Sequence, residues 1–144
     1  MIFSFGLSNQ NYTESHLSKL GLSGETNYVF AMQWYKHPGI QNFLLGGLYL
    51  VPLSYLIVFT DEKIGIVYLN VPFAKPTLID RNKITDLSIT EEDRKFYSYD
   101  GYLLEFTNHW DHYKFLVRRS FRLRGMERFT INTERLFSTI NEEV

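Results

Sequence analysis

The sequence predicts a mainly β domain with one open end covered by a C-terminal helix. Aromatic residues make up 17% of the 144 residues, a high share, and aromatic side chains favour strands. Short apolar stretches separated by turn residues follow one another along most of the chain, and an apolar stripe at helical spacing lies near its end. The length is typical of one domain. We therefore expect residues 27–144 to form that domain and residues 1–26 to form an N-terminal extension.

The extension carries a short predicted helix. Thr13 can cap this helix, Leu17 and Leu20 share one face, and Gly21 ends it. The first strand of the domain is predicted at 27–35, where aromatic residues are dense, and a Lys-His-Pro-Gly turn follows it.

A long uncharged stretch runs from Phe43 to Phe59. As a helix it would contain about 17 residues, at the lower limit for a membrane span. It includes Gly46, Gly47 and Pro52, which give no support to such a span. We favour a glycine-rich connection that leads into a buried strand, and contact of this stretch with a membrane is the alternative.

A central hairpin is predicted from two apolar runs, 55–59 and 64–69, joined by a polar turn. Both runs are apolar on both faces, so both faces of the hairpin must be covered. The N-terminal helix, the 43–50 stretch or a second subunit could provide this cover.

The second half of the domain is predicted to contain three strands and the helix. Residues 77–90 form a strand that bends around Arg81 and Asn82. Residues 102–107 and 113–118 form a tight hairpin, and Asn132 or Thr133 caps the helix. The residues predicted to face the core are Tyr102, Leu104, Phe106, Tyr113, Phe115 and Val117 in the hairpin and Leu136, Phe137 and Ile140 in the helix.

Four segments of the chain resemble the bacterial pleckstrin-homology-like (PH-like) domains. They are the Thr-Asp-Glu-Lys hairpin at 58–67, the Ile-Thr-Asp-Leu strand at 84–89, the Gly-Tyr-Leu-Leu-Glu-Phe strand at 101–106 and the Leu-Arg-Gly-Met segment at 123–126. The resemblance spans roughly 27–143 and departs from the family pattern in the uncharged segment 39–54. It implies a seven-stranded barrel of two antiparallel sheets capped by one α-helix, with binding rather than catalysis as its role.

Composition and motifs exclude several classes of function. The net charge is −1 and there is no cysteine, so we expect neither nucleic-acid binding nor a thiolate metal site. No phosphate-binding loop, nucleophile elbow or zinc-protease motif occurs, so we expect no enzyme activity and no cofactor. The absence of cysteine and of a recognisable secretory signal predicts a cytoplasmic protein.

Candidate binding residues cluster around the predicted 102–118 hairpin. Trp110 is expected near an exposed loop tip, where it could anchor a partner or a lipid interface, or fold back over the barrel mouth. His109, Asp111 and His112 are possible metal ligands, but three neighbours on a hairpin alternate faces, so we expect no metal site. A basic segment follows, with Lys114, Arg118 and Arg122 as candidate contacts, and its charges could instead pair with acids on neighbouring strands. The resemblance also implies where inositol phosphates would bind, since the eukaryotic relatives of this family use basic residues on the first two strands and the loop between them. That region, 28–55, offers only Lys36 and His37, so specific inositol-phosphate binding is not expected.

The leading functional prediction is a protein-binding or self-associating module. Leu103 and Leu116 lie opposite the predicted core face, so they are candidate interface residues, as are the doubly apolar hairpin and an open sheet edge. The alternative is a peripheral module that binds an anionic membrane surface through Trp110 and the basic residues.

Overall fold

The computed structural model describes residues 10–22, 24–33, 53–69, 74–92, 101–118 and 127–143. A mainly β fold with a C-terminal helix and a short N-terminal helix is confirmed. In chain order the elements are α1 (Gln10–Lys19), β1 (Tyr28–Gln33), β2 (Ser54–Phe59), β3 (Lys63–Tyr68), β4 (Thr77–Asp80), β5 (Ile84–Glu92), β6 (Gly101–Asn108), β7 (Asp111–Arg118) and α2 (Glu127–Glu143).

The seven strands form one antiparallel sheet in the order β4-β3-β2-β1-β7-β6-β5. Strand β1 pairs with β2 on one side and with β7 on the other, so it joins the two halves of the sheet. The sequence predicted two antiparallel sheets. In the structure β1 is shared by both halves, so the described strands form one sheet. The sheet is not closed, because β4 and β5 lie at its opposite edges.

A three-residue 3-10 helix, Arg81–Lys83, connects these two edge strands. Because the connection is so short, the sheet must curl until its edges approach each other at this corner. The corner is held by Asp80, which pairs with Lys63 and with Lys83, the latter at 3.3 Å. Hydrogen bonds from these two ammonium groups, Lys63 first, hold the pKa of the Asp80 carboxyl below its ordinary value.

The sequence predicted one bent strand at 77–90, whereas the structure has two strands there, β4 and β5. The 3-10 helix stands where the bend was placed, and it separates β4 from β5. The irregular pairing lies further on, between Thr85 and Ser88, where Asp86 has a left-handed φ of 58°. Aspartate tolerates that conformation better than most residues, which is why an extra residue fits the strand here.

The inner face of the sheet and one face of α2 enclose the larger hydrophobic cluster. The core face predicted for the β6–β7 hairpin is confirmed, since Tyr102, Leu104, Phe106, Phe115 and Val117 are all buried in it. Leu136 and Ile140 of α2 complete the cluster, and Phe137 packs against it.

The outer face of β1–β3 carries a second apolar cluster, which α1 covers. Leu17 and Leu20 of α1 are buried against it. This confirms the prediction that both faces of the doubly apolar hairpin are covered, and it shows that the N-terminal helix, one of the candidates, provides the outer cover. Leu20 lies over Gly65 of β3, where an added Cβ would be 2.7 Å from the Leu20 Cδ1 atom. A residue without a side chain at this position lets α1 approach the strands closely.

Helix α2 begins at Glu127, five residues before the predicted cap Asn132. Asn132 lies within the helix and its side chain is buried. The side-chain amide nitrogen donates to the backbone oxygens of Thr26, at 2.6 Å, and Tyr28, at 2.9 Å. Thr133 donates to the Phe129 carbonyl within the helix. The polar residues that resemble a cap by sequence therefore serve other bonds, and Asn132 ties α2 to the start of β1.

His16 makes the docking of α1 sensitive to pH. Burial of its ring, and secondarily the nearby Lys19 ammonium, lower the pKa of His16 from 6.5. The unfolded chain therefore binds this proton more readily than the folded chain. We expect the free energy of unfolding to be independent of His16 above about pH 6.5 and to decrease as the pH falls through 6.5 towards the folded-state pKa.

Urea unfolding measured between about pH 7.5 and pH 5 tests this prediction. His16→Leu should remove part of the acid destabilisation, whereas His109→Gln, which changes an exposed histidine, should retain it. The prediction is wrong if the parent protein and His16→Leu lose the same stability on acidification.

No helix within the described ranges combines the length and the apolar character needed to cross a membrane. Ser54–Phe59, the end of the uncharged stretch, is the fully buried strand β2. The earlier part of that stretch, residues 43–52, lies outside the described residues.

Candidate functional site

The tip of the β6–β7 hairpin exposes Trp110. Asn108 and Asp111 pair as the last residues of the two strands, which leaves a two-residue turn formed by His109 and Trp110. His109 adopts a left-handed φ of 58°, a conformation in which histidine is several-fold enriched among non-glycine residues. Trp110 is 97% exposed, so the turn holds the indole in solvent instead of folding it onto the protein.

The charges beside this tip largely neutralise one another. Lys114 on β7 lies 3.3 Å from the Glu105 carboxylate on β6. His112 shares a 2.9 Å hydrogen bond with the Thr107 hydroxyl, and its second nitrogen is 3.9 Å from Glu105. Lys114 is thus paired across the strands, the arrangement that the sequence left open as the alternative to a basic patch.

The other predicted basic contacts are only partly placed. Arg118 is the last residue of β7 and pairs with Gly101 in the ladder, but its side chain is outside the description. Arg122 lies outside the described residues. The structure therefore brings Lys114 and Trp110 onto the same hairpin and leaves the two arginine predictions untested.

The two candidate interface leucines are directly opposite each other on β6 and β7. Leu103 is half-buried, whereas Leu116 is 1% exposed. Leu116 also pairs with Met32 of β1, and its Cδ1 atom closes over Gly101, 3.0 Å from the position of an added Cβ there. Leu116 presents almost no surface to a partner, so of this pair only Leu103 is accessible.

β5 is the longer of the two edge strands of the described sheet. β5 extends over nine residues and, among the described strands, pairs with β6 alone. No described strand therefore uses the backbone groups on its other side. Its accessible side chains include Asp86, Thr90 and Glu91. Sequence reasoning named an open edge without assigning it to a strand, because strand order is set by pairings between distant residues.

A polar cleft of about 340 Å³ lies at the corner where the sheet edges approach each other. Asp61, Glu62, Lys63, Asp80 and Asn82 line it. Lys63 and Asp80 are already paired with each other, so the charges in this cleft hold the corner together. No group of three His, Cys, Asp or Glu side chains that could hold a metal ion occurs within the described ranges.

No protein-family model, curated protein or solved structure matches this chain.

Trp110→Ala should leave the stability of the protein nearly unchanged. The indole is almost fully exposed, and surface substitutions without buried contacts change the free energy of unfolding by about 0.5 kcal/mol or less. Urea unfolding of the parent and the variant measures the difference. A loss of more than about 1 kcal/mol would mean that Trp110 packs on the protein and is not available to a partner.

Proposed function

We propose that this protein is a non-catalytic binding module with a PH-like fold, which binds an extended segment of a protein partner along the edge of β5. Seven antiparallel strands with one helix over the inner face support the PH-like assignment, and so does the corner that draws the two sheet edges together. A cytoplasmic location remains a prediction from the cysteine-free sequence.

The open edge of β5 is the observation that carries this proposal. An unpaired strand edge offers alternating N–H and C=O groups, which an extended chain can satisfy by adding one more strand to the sheet. The doubly apolar hairpin is a poorer candidate, because α1 covers its outer face and the main cluster its inner face. The accessible edge thus supports binding better than the surplus apolar residues do.

A pair of proline variants on β5 tests the proposal. Thr90 and Glu91 are adjacent and both exposed. In an antiparallel pair successive N–H groups point in opposite directions, so one of these two N–H groups faces β6 and the other faces outward. Proline at the residue whose N–H faces β6 removes a hydrogen bond of the sheet. Proline at the residue whose N–H faces outward removes only a group offered to a partner.

Thermal unfolding identifies which variant is which, because only the inward-facing proline should lower Tm clearly. Binding is measured by fluorescence anisotropy with a labelled neutral peptide, Thr-Gln-Val-Gln-Thr-Gln-Val. We expect the parent to bind this peptide and the variant of unchanged Tm to lose binding. The proposal fails if that variant binds the peptide as well as the parent does, or if the parent binds neither this peptide nor versions of it with charged residues in place of glutamine.

Self-association is the second form of the same proposal, in which another copy supplies the extended segment. Sedimentation velocity over a range of protein concentrations tests it. A species that grows with concentration in the parent, and not in the proline variant of unchanged Tm, supports association through β5. A monomer at all concentrations excludes it.

Binding to an anionic membrane surface is the alternative function, and the exposure of Trp110 is the observation in its favour. Exposed tryptophan side chains suit the membrane interface. The pairing of Lys114 with Glu105 and the presence of Asp111 beside Trp110 weaken it, since an anionic surface attracts unpaired cations.

Sedimentation with vesicles of phosphatidylcholine and phosphatidylserine decides this alternative. If the membrane is the partner, the parent pellets with the vesicles, Trp110→Ala and Arg118→Glu reduce pelleting, and Leu78→Ala does not. Leu78 is the matched control because it is an exposed apolar side chain on β4, away from the tip. A parent protein that stays in the supernatant rules the alternative out.

A further inference from the structure

The two edges of the sheet are not equally suited to receive another strand. The β4 edge has four residues, follows Lys75 and Pro76 directly, and ends at the ion-paired Asp80. Short length, proline and lysine are the features by which natural sheets protect their edges. β5 has nine residues and contains neither proline nor lysine, although Lys83 directly precedes it. Its pairing is irregular between Thr85 and Ser88, so its regular part runs from Ser88 to Glu92.

Every charged residue of β5 is acidic. Asp86, Glu91 and Glu92 are the acids, and the strand has no lysine or arginine. Asp86 and Glu91 are exposed and have no ion-pair partner among the described residues. The two nearest described lysines are already paired, Lys83 with Asp80 and Lys114 with Glu105.

This charge pattern selects the kind of strand that β5 can receive. If two copies paired through β5 itself, the exposed carboxylates of both strands would lie at the same junction, and like charges on adjacent strands are unfavourable. A strand with basic side chains would place them beside the unpaired acids, where opposite charges across a strand pair are favourable.

We infer that the edge of β5 binds an extended segment of a partner protein that carries lysine or arginine side chains. This inference rests on the proposed function and adds the chemistry of the partner. Glu91 lies on the same face of β5 as Ile89, so a basic side chain of the added strand can meet it on that face. The regular stretch Ser88–Glu92 sets the length of the pairing at about five residues.

Three labelled peptides that differ only in charge test the inference by fluorescence anisotropy. They are Thr-Arg-Val-Arg-Thr-Arg-Val, the neutral peptide with glutamine in place of arginine, and the acidic peptide with glutamate. Exposed ion pairs contribute little individually, so two of them, to Asp86 and Glu91, should tighten binding about fivefold relative to the neutral peptide. The preference should shrink as salt is raised, because exposed charges are screened, whereas binding of the neutral peptide should change little.

A double variant shows whether the acids of β5 cause the preference. Asp86→Asn with Glu91→Gln removes both charges, and asparagine tolerates the left-handed backbone at position 86. We expect this variant to bind the arginine and glutamine peptides equally. Glu25→Gln is the control, since Glu25 is an exposed acid in the connection between α1 and β1, and it should keep the preference.

The possible outcomes separate this inference from the proposed function. Equal binding of the arginine and neutral peptides by the parent overturns the inference and leaves the proposed function standing. A preference that survives in the double variant also overturns it. Binding of none of the peptides overturns both. Self-association that strengthens in the double variant would make a second copy of β5 the occupant and would overturn the inference as well.

Discussion

Replacing Asn132 with aspartate should lower the free energy of unfolding by about 3–5 kcal/mol. The Asn132 side chain is 1% exposed and donates to the carbonyl oxygens of Thr26 and Tyr28. An ionised aspartate of nearly the same shape has no donor and would direct its charge at both oxygens. Two hydrogen bonds would be lost, and a buried charge would have no cation to offset it.

The matched control is Asn141→Asp, the same chemical change at an exposed position of the same helix. We expect a loss of less than about 1 kcal/mol there, mostly from a negative charge near the C-terminal end of α2. Urea unfolding near neutral pH compares the three proteins. Similar losses in the two variants would mean that Asn132 does not fasten α2 to the start of β1.

Tyr102→Ala should lower the free energy of unfolding by a similar amount, about 3–5 kcal/mol. Tyr102 is 1% exposed, and its ring stacks on Phe137 with centroids 4.4 Å apart. Its hydroxyl donates to the Glu134 carboxylate, with oxygen distances of 3.0 and 3.1 Å. Truncation would therefore open a cavity between β6 and α2 and remove a charge-assisted hydrogen bond.

Tyr102→Phe separates these two contributions, because it keeps the ring and removes the hydroxyl. We expect a loss of about 1.5–3 kcal/mol, the range for a hydrogen bond to a charged group. A double-mutant cycle with Glu134→Ala gives the coupling between the two side chains. Additive effects of Tyr102→Phe and Glu134→Ala would contradict the role of this hydrogen bond.

The sequence predicted local features of the fold well. The central hairpin, the β6–β7 hairpin and its core face follow from alternating apolar residues and turn residues, which depend on neighbours in the chain. The strand order is different, because it depends on pairs such as Ala31 with Val117. No local pattern encodes that pair, so the single sheet with β1 at its centre could not be derived from the sequence.

The candidate site was predictable only in part, for a similar reason. The two-residue turn placed Trp110 at a tip, as expected, but its exposure depends on whether any distant surface covers it. Leu116 was assigned to an interface because it alternates with core residues, yet β1 and β6 border it on both sides. Asparagine is a common helix-capping residue, which is why the sequence placed Asn132 at the start of the helix. Only the positions of Thr26 and Tyr28 in the structure show why Asn132 is buried.

The junction between β1 and β7 has a consequence for the order of folding. Three residue pairs form it, Ala31–Val117, Met32–Leu116 and Gln33–Phe115, and the two strands come from nearly opposite ends of the domain. The β2–β3 and β6–β7 hairpins each close a short loop, whereas this junction closes a loop of most of the chain at a larger cost in entropy. We therefore expect the hairpins to form first during folding and the two halves of the sheet to join in a late step.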